Sequence, residues 1–176
     1  ALLDGARELD MVLPIGLLRA GDVEGVTRDI AAVVDAAAGT GDAGGRAVVA
    51  GGRAVVKVIF ETALLDDGEK VDACRAASDA GADYVKTSTG FASVPTGATV
   101  ADVLLMAANV PDRMGVKASG GIRDLERVLQ LVGAGATRIG CSSTTTILAA
   151  ARGVVDASSE GALGVHDHVG AALGVA

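Results

Sequence analysis

The sequence has 176 residues, of which 50% are hydrophobic and 2% aromatic, and its net charge is −7. This length and composition suit one globular domain with an aliphatic core and exclude a disordered chain. The acidic charge without a basic run disfavours nucleic-acid partners, and the lack of a long apolar run or signal-peptide pattern predicts no membrane association.

Short apolar segments alternate with longer amphipathic segments along the chain. The predicted strands cover residues 8–13, 54–60, 83–88, 114–118 and 137–141. The predicted helices cover residues 22–38, 67–80, 99–109, 124 to about 132, and a segment beginning near 144. Asp22 is a predicted N-cap and Gly81 a predicted helix stop. Five consecutive β/α units predict a parallel sheet, because parallel neighbours need a crossover helix.

Two similar phrases, AGADYVKTS and AGATRIGCS, each combine a helix end, a strand and a small polar turn. Such reuse of one unit is typical of a TIM (β/α)8 barrel. A complete barrel usually takes about 250 residues, and five units do not close one. The expected fold is therefore α/β, with residues 1–176 forming a single incomplete barrel domain that lacks roughly the first three β/α units. An open doubly wound sheet is the alternative.

The glycine-rich segment, the two histidines and the two cysteines are assigned no functional role. The glycine-rich segment 39–53 predicts a flexible surface loop, since it lacks the Lys-Ser/Thr ending of a phosphate-binding P-loop. His166 and His168 lie in a weakly patterned tail, and no metal site is expected there. Cys74 and Cys141 show no metal-ligand spacing, so they are interpreted as reduced thiols of a cytoplasmic protein.

Charged side chains interrupt strands that would read as apolar if helices covered them. Asp10 lies in the first strand, and three of the four lysines, Lys57, Lys86 and Lys117, lie in later strands. A buried lysine is costly unless it is paired or neutral. An internal ion pair explains one such lysine well. Several of them near the C-terminal ends of parallel strands instead favour an active site, because α/β folds place their sites at those ends.

The two lysines on neighbouring predicted strands suggest a specific chemistry. A lysine amine attacks a carbonyl only when it is neutral, and burial or a second ammonium nearby lowers the pKa of a lysine. One member of the Lys86 and Lys117 pair would then form an imine, while the other would stay protonated and help to move protons. Asp10 is a candidate proton carrier, acting through a bound water.

Small polar turns follow three of the strands. Their sequences are TSTG from Thr87, ASGG from Ala118 and GCSS from Gly140. Small residues let backbone N–H groups approach a ligand, and helix N-termini favour anions. Because the last two strand-to-helix turns of a barrel often hold a phosphate, the second and third turns predict a phosphate site. Ordinary tight turns with Ser/Thr caps are the alternative.

Residues 82–91 (ADYVKTSTGF) resemble the Schiff-base strand of deoxyribose-phosphate aldolases, which are class I aldolases. Further similar segments follow the family order. They are ELDMV around Asp10, VKVIFET (56–62), ATVADVLLM (98–106), MGVKASGGIR (114–123) and AGATRIGCSS (134–143). The resemblance extends from residue 5 to about residue 150.

This resemblance implies reversible cleavage of 2-deoxy-D-ribose 5-phosphate to D-glyceraldehyde 3-phosphate and acetaldehyde through a lysine Schiff base. Lys86 matches the Schiff-base lysine, Lys117 the second lysine that tunes it, and Asp10 the aspartate of the proton relay. Lys57 and Thr87 are assigned supporting roles near the site. The matches to the backbone donors around the substrate phosphate are Gly120, Gly121, Gly140, Ser142 and Ser143.

The resemblance also implies that no metal or organic cofactor is needed, because the imine itself is the electron sink. It makes a homodimer the candidate assembly. Two other functions remain open at this point: an inactive partial barrel that binds phosphate esters or serves as an assembly partner, and another class I aldolase such as a transaldolase.

Overall fold

A computed structural model describes residues 1–38, 53–91 and 97–160. The predicted loop at 39–53, apart from Arg53, and the two histidines of the tail lie outside these residues. Within them, no helix is both long and apolar enough to cross a membrane.

In the described residues five parallel strands form one sheet, and each strand pairs with the next one in the sequence. The strands are β1 (Glu8–Val12), β2 (Val55–Ile59), β3 (Tyr84–Lys86), β4 (Gly115–Ser119) and β5 (Arg138–Gly140). The parallel sheet predicted from the sequence is therefore confirmed. A doubly wound sheet would reverse its strand order at a switch point, whereas the order here is β1-β2-β3-β4-β5.

Helices connect the strands and cover one face of the sheet. They are α1 (Ile15–Arg19), α2 (Val23–Ala38), α3 (Asp67–Asp79), α4 (Val100–Ala108), α5 (Leu125–Gly133) and α6 (Thr144–Glu160), with a 3₁₀ helix at Thr62–Leu64. The sequence did not predict α1 or the 3₁₀ helix, because both are too short to show a periodicity. Helix α6 continues further into the weakly patterned tail than expected.

Local capping signals explain where the longer helices begin and end. The Asp22 carboxylate accepts a hydrogen bond from the Gly25 N–H at 2.8 Å, which confirms the predicted cap of α2. Asp66 and Glu69 form a capping box at the start of α3. Gly81 follows α3 with a φ of 78°, the left-handed conformation that ends many helices.

Alternation along the strands separates an apolar outer face from a polar inner face. Buried aliphatic side chains of β2 to β4 join the main core beneath the helices; they are Val58, Val85, Val116 and Ala118. The charged strand residues lie on the opposite face. Arg138 on β5 donates a hydrogen bond to Glu8 on β1 at 2.5 Å across that face.

This contact between the two outermost strands defines the shape of the sheet. Strands four positions apart would be separated by about 19 Å in a flat sheet. The sheet must therefore curve strongly so that its polar face is concave. A curved sheet with sequential parallel strands and helices outside is five-eighths of a (β/α)8 barrel, which confirms the predicted fold class.

Candidate active site

The strand register gathers the charged residues on the concave face. Lys86 on β3 is paired with Lys117 on β4, and Asp10 on β1 is paired with Lys57 on β2. Paired positions of neighbouring parallel strands direct their side chains to the same side of the sheet. The three side chains predicted from the sequence as catalytic and one of the two predicted as supporting, Lys57, therefore lie together.

Asp10 is the centre of this cluster. Its Oδ2 accepts hydrogen bonds from Lys86 Nζ at 2.7 Å and from Lys117 Nζ at 3.0 Å. Its Oδ1 accepts a hydrogen bond from Lys57 Nζ at 2.6 Å. Because the first two nitrogens share one oxygen, they lie within about 6 Å of each other, the range in which like charges perturb one another.

Lys57 is more deeply buried than its position in the sequence indicated. Its side chain is 3% exposed and contacts two carboxylates, Asp10 and Glu8, the second at 2.7 Å. Sequence reasoning missed Glu8. The available signal was its position two residues before Asp10 on the same strand, which places both carboxylates on one face.

The cluster shifts the ionisation of two of its members. Burial acts to raise the pKa of Asp10, but hydrogen bonds from Lys57, Lys86 and Lys117 outweigh it and hold that pKa well below its usual range. Burial lowers the pKa of Lys117, and the charges of Lys86 and Lys57 lower it further, against the opposing effect of Asp10. Asp10 therefore stays ionised, and Lys117 loses its proton more easily than a solvated lysine.

A cavity of about 500 Å³ opens beside the cluster at the C-terminal ends of β3, β4 and β5. The predicted residues that line it are Lys86, Lys117, Gly120, Gly121, Gly140 and Ser142. Asp10, Lys57 and Thr87 are not part of its lining, and neither is Ser143, which immediately precedes α6. The cavity thus joins the two lysines to both turns that were predicted to bind phosphate.

The glycines of these turns are required by the backbone and by close packing. Gly120 and Gly121 have φ values of 94° and 71°, a region that side chains strongly disfavour. A Cβ at Gly140 would lie 3.3 Å from Lys117 Cε and 3.0 Å from Ser119 Cβ. A side chain at that position would crowd Lys117, so the small residue keeps room for the amine.

Arg123 also lines the cavity, and sequence reasoning gave it no role. A signal was available in the sequence, because Arg123 lies two residues after the glycine turn that follows β4. With Lys86 and Lys117 it gives the wall three cationic side chains in a chain whose net charge is −7. An anionic ligand would therefore meet locally favourable electrostatics in this cavity.

Thr87 and Glu61 form hydrogen bonds to two residues that line the cavity, Ser119 and Thr89. Thr87 is fully buried; its hydroxyl donates to the Ser119 carbonyl at 2.9 Å and accepts from the Ser119 N–H at 3.0 Å. This bridge ties the end of β3 to the end of β4. Glu61, a third residue to which the sequence gave no role, accepts hydrogen bonds from the Thr89 N–H at 3.1 Å and the Thr89 hydroxyl at 2.6 Å.

Neither cysteine belongs to a potential metal site within the described part of the chain. Among the described residues, no group of three or more His, Cys, Asp or Glu side chains is placed to hold a metal ion. Both thiols are free, and burial raises the pKa of Cys74 to about 12. Cys141 lies in the cavity wall.

Comparison with known proteins gives a consistent set of relatives, although no family model matches the chain. Deoxyribose-phosphate aldolase 1 of Oceanobacillus iheyensis is 49% identical over 156 residues, which are 89% of this chain and 64% of that protein. A deoxyribose-phosphate aldolase of Methanothermobacter thermautotrophicus is 50% identical over 148 residues, 84% of this chain and 59% of that protein.

The fold comparison agrees. The crystal structure of a putative deoxyribose-phosphate aldolase from Coccidioides immitis matches with a TM-score of 0.74 and 40% identity, over 86% of this chain and 55% of that one. The chain thus spans between 59% and 64% of the length of these curated relatives.

Proposed function

From these similarities we infer that this chain belongs to the deoxyribose-phosphate aldolase family, and from that premise we propose that the complete protein reversibly cleaves 2-deoxy-D-ribose 5-phosphate. The products are D-glyceraldehyde 3-phosphate and acetaldehyde, and the nucleophile is Lys86. One observation carries the proposal: Lys86 and Lys117 share the Asp10 carboxylate and line a cavity whose lining also includes Gly120, Gly121 and Gly140.

The cleavage uses the imine formed on Lys86 as an electron sink. The free amine of Lys86 adds to the C1 aldehyde of the open-chain sugar, and water leaves to form the imine. Removal of the C3 hydroxyl proton breaks the C2–C3 bond, and the bonding electrons move into the imine to give an enamine. Protonation of the enamine at C2 and hydrolysis release acetaldehyde and restore the amine.

The neighbouring groups divide the remaining work. Lys117 is assigned proton transfer, because burial and the charges of Lys86 and Lys57 lower its pKa, so that it gives up its proton more readily than a solvated lysine. Asp10, which is held ionised, orients both amines through one oxygen and completes the proton relay. Lys57 fixes the other oxygen of Asp10, and Thr87 holds the strand ends together.

The glycine turns are assigned to the substrate phosphate. Gly120 and Gly121 follow β4, and Gly140, Ser142 and Ser143 precede α6, so backbone N–H groups and the N-terminus of α6 are available to an anion. Phosphate held there is remote from the bond that breaks. Its binding therefore orients the sugar without opposing the chemistry.

The whole protein is proposed to be a single barrel domain. Five strands of an eight-stranded barrel match the share of the relatives that this chain spans, so three further β/α units would lie between β5 and β1. We place the protein in the cytoplasm, where its two free thiols would stay reduced. A homodimer is the proposed assembly.

Imine trapping tests the proposed function directly. The protein is incubated with acetaldehyde and sodium borohydride, digested, and its peptides are weighed. We expect a mass increase on the peptide that contains Lys86 and none in the folded variant Lys86→Leu. Lys70 is the internal control, because it is buried in an ion pair away from the cavity.

Each other outcome overturns a particular part of the proposal. An adduct on the Lys117 peptide would transfer the nucleophilic role to that residue. Labelling with pyruvate or a ketose phosphate, but not with acetaldehyde, would indicate another class I aldolase. A folded protein without any adduct would instead support a partial barrel that only binds phosphate esters or a partner.

A further inference from the structure

An acidic residue beneath the lysine cluster has no role in the chemistry described above. Glu8 lies at the start of β1, two residues before Asp10 and on the same face. Its Oε2 accepts hydrogen bonds from Lys57 Nζ at 2.7 Å and from Arg138 Nη1 at 2.5 Å. It therefore links β1 to β2 on one side and to β5 on the other.

We propose that Glu8 is a positioning residue, which anchors Lys57 against Arg138 and thereby fixes the direction of the Asp10 carboxylate toward Lys86 and Lys117. This inference rests on the proposed imine chemistry and adds to it a role for a residue that contacts Lys57 and Arg138. It assigns Glu8 no contact with the substrate.

The first argument concerns Lys57. Its side chain is 3% exposed, and a buried ammonium with too few partners is strongly destabilising. Asp10 and Glu8 each supply one carboxylate oxygen, at 2.6 Å and 2.7 Å. Without Glu8, Lys57 would have Asp10 as its only carboxylate partner and would compete with the two cavity lysines for that group.

The second argument concerns the geometry of Asp10. Since Lys57 occupies Oδ1, only Oδ2 faces both Lys86 and Lys117. The carboxylate plane is thus set by three ammonium groups from three different strands. Lys57 is the one of these groups that does not line the cavity, so it can hold its place while the other two react.

The third argument is the balance of charge on the concave face. The cations are Lys57 on β2, Lys86 on β3, Lys117 on β4 and Arg138 on β5, and Arg138 also lies 4.7 Å from the ring of Tyr84. The carboxylates facing them are Asp10 and Glu8 on β1 and, near Lys86, Glu61 beyond β2. Removing the charge of Glu8 leaves the ammonium forms less stabilised.

The test is the pH dependence of imine trapping by acetaldehyde and cyanoborohydride. In Glu8→Gln we expect the midpoint, the pH at which the trapping rate is half-maximal, to fall by about one unit, because the ammonium groups lose one neighbouring carboxylate charge. We expect the plateau rate to fall by about tenfold, because the Asp10 carboxylate is no longer held in place. Glu24→Gln is the matched control, since Glu24 is an exposed residue of α2 paired with Arg28.

Two further variants separate positioning from a merely structural role. Glu8→Asp keeps the charge and should retain the wild-type midpoint. Arg138→Gln removes a cation from the same pair and should move the midpoint in the opposite direction, to higher pH. It also provides a test if Glu8→Gln does not fold.

The outcomes for this inference and for the proposed function are distinguishable. A wild-type protein that forms no adduct overturns the proposed function. A wild-type protein that forms the adduct, together with Glu8 and Arg138 variants whose midpoints equal that of Glu24→Gln, overturns the role of Glu8 alone.

Discussion

At the scale of single residues, the site is defined by how many groups share one carboxylate. Three lysine ammoniums contact Asp10, and each comes from a different strand. A lone ion pair would explain one buried lysine without any function. Three around one aspartate, with the cavity open to two of them, leave an excess of positive charge that favours loss of a proton.

A glycine beside this cluster gives a prediction about packing. In Gly140→Ala the new methyl group would press on Lys117 Cε and Ser119 Cβ, which lie 3.3 Å and 3.0 Å from its position. We expect the imine-trapping rate to fall by about tenfold through misplacement of the amine. The free energy of unfolding should fall by only about 1 kcal/mol, measured in urea.

A second glycine provides the control for that substitution. Gly153 lies inside α6, and a Cβ there would have no neighbour within 4 Å. Gly153→Ala should stabilise the protein by about 1 kcal/mol through helix propensity and leave trapping unchanged. Equal trapping rates in the two alanine variants would show that Lys117 has more room than its neighbours indicate.

At the scale of secondary structure elements, the sequence predicted most of the fold. Apolar periodicity located all five strands, and helix signals such as Asp22 and Gly81 marked helix ends that the structure confirms. Predicted strands were up to three residues too long, because residues 83–88 include a turn beyond Lys86. The hydrogen bonds of that turn come from other strands, and the local sequence does not reveal them.

Contacts between elements were the least predictable feature. Lys70 was assigned only to a helix face, yet it is 8% exposed and its Nζ lies 2.8 Å from Asp102 Oδ1 on α4. The same limit applies to Glu8, whose partners lie 49 and 130 positions away along the chain. Such partners depend on how helices and strands pack, which the periodicity of one segment does not encode.

The bridge between α3 and α4 gives a prediction about stability. Burial acts to lower the pKa of Lys70, but Asp102 and Asp67 raise it above its ordinary value. Burial acts to raise the pKa of Asp102, but Lys70 and Thr99 lower it. Asp102→Asn leaves Lys70 with only Asp67, an exposed partner, so we expect a loss of about 3 kcal/mol near neutral pH.

The pH dependence of that loss has a defined sign. The contribution of a carboxylate with a lowered pKa disappears as the pH falls below about 4, and that of a lysine with a raised pKa disappears above about 10. Urea unfolding should therefore show that the free energies of unfolding of wild type and Asp102→Asn converge in acid.

The control variant is Asp67→Asn, which should lower the free energy of unfolding by less than about 1 kcal/mol because it removes a solvent-exposed partner. Equal losses from the two variants would contradict the bridge.

At the scale of the whole molecule, polar side chains tie together the two outermost strands of the described sheet. Glu8 and Arg138 join β1 to β5, and Asp10 and Lys117 join β1 to β4, all on the concave face. The complete set of amines proposed for the chemistry therefore lies within the five described strands. The remaining three units of the proposed barrel would close the sheet rather than supply these amines.

This arrangement predicts how the strands differ in protection from hydrogen exchange. Within the described residues, β2, β3 and β4 have a strand on each side, whereas β1 and β5 have one neighbour each. In the 176-residue chain expressed by itself, we expect the amides of β1 and β5 to exchange at least about tenfold faster than those of β2 to β4, measured by mass spectrometry of peptides. The longer relative from Oceanobacillus iheyensis is the control. If three more β/α units close its barrel, its corresponding strands should be equally protected. Equal protection of all five strands in the shorter chain itself would mean that another polypeptide segment already covers the edges of β1 and β5.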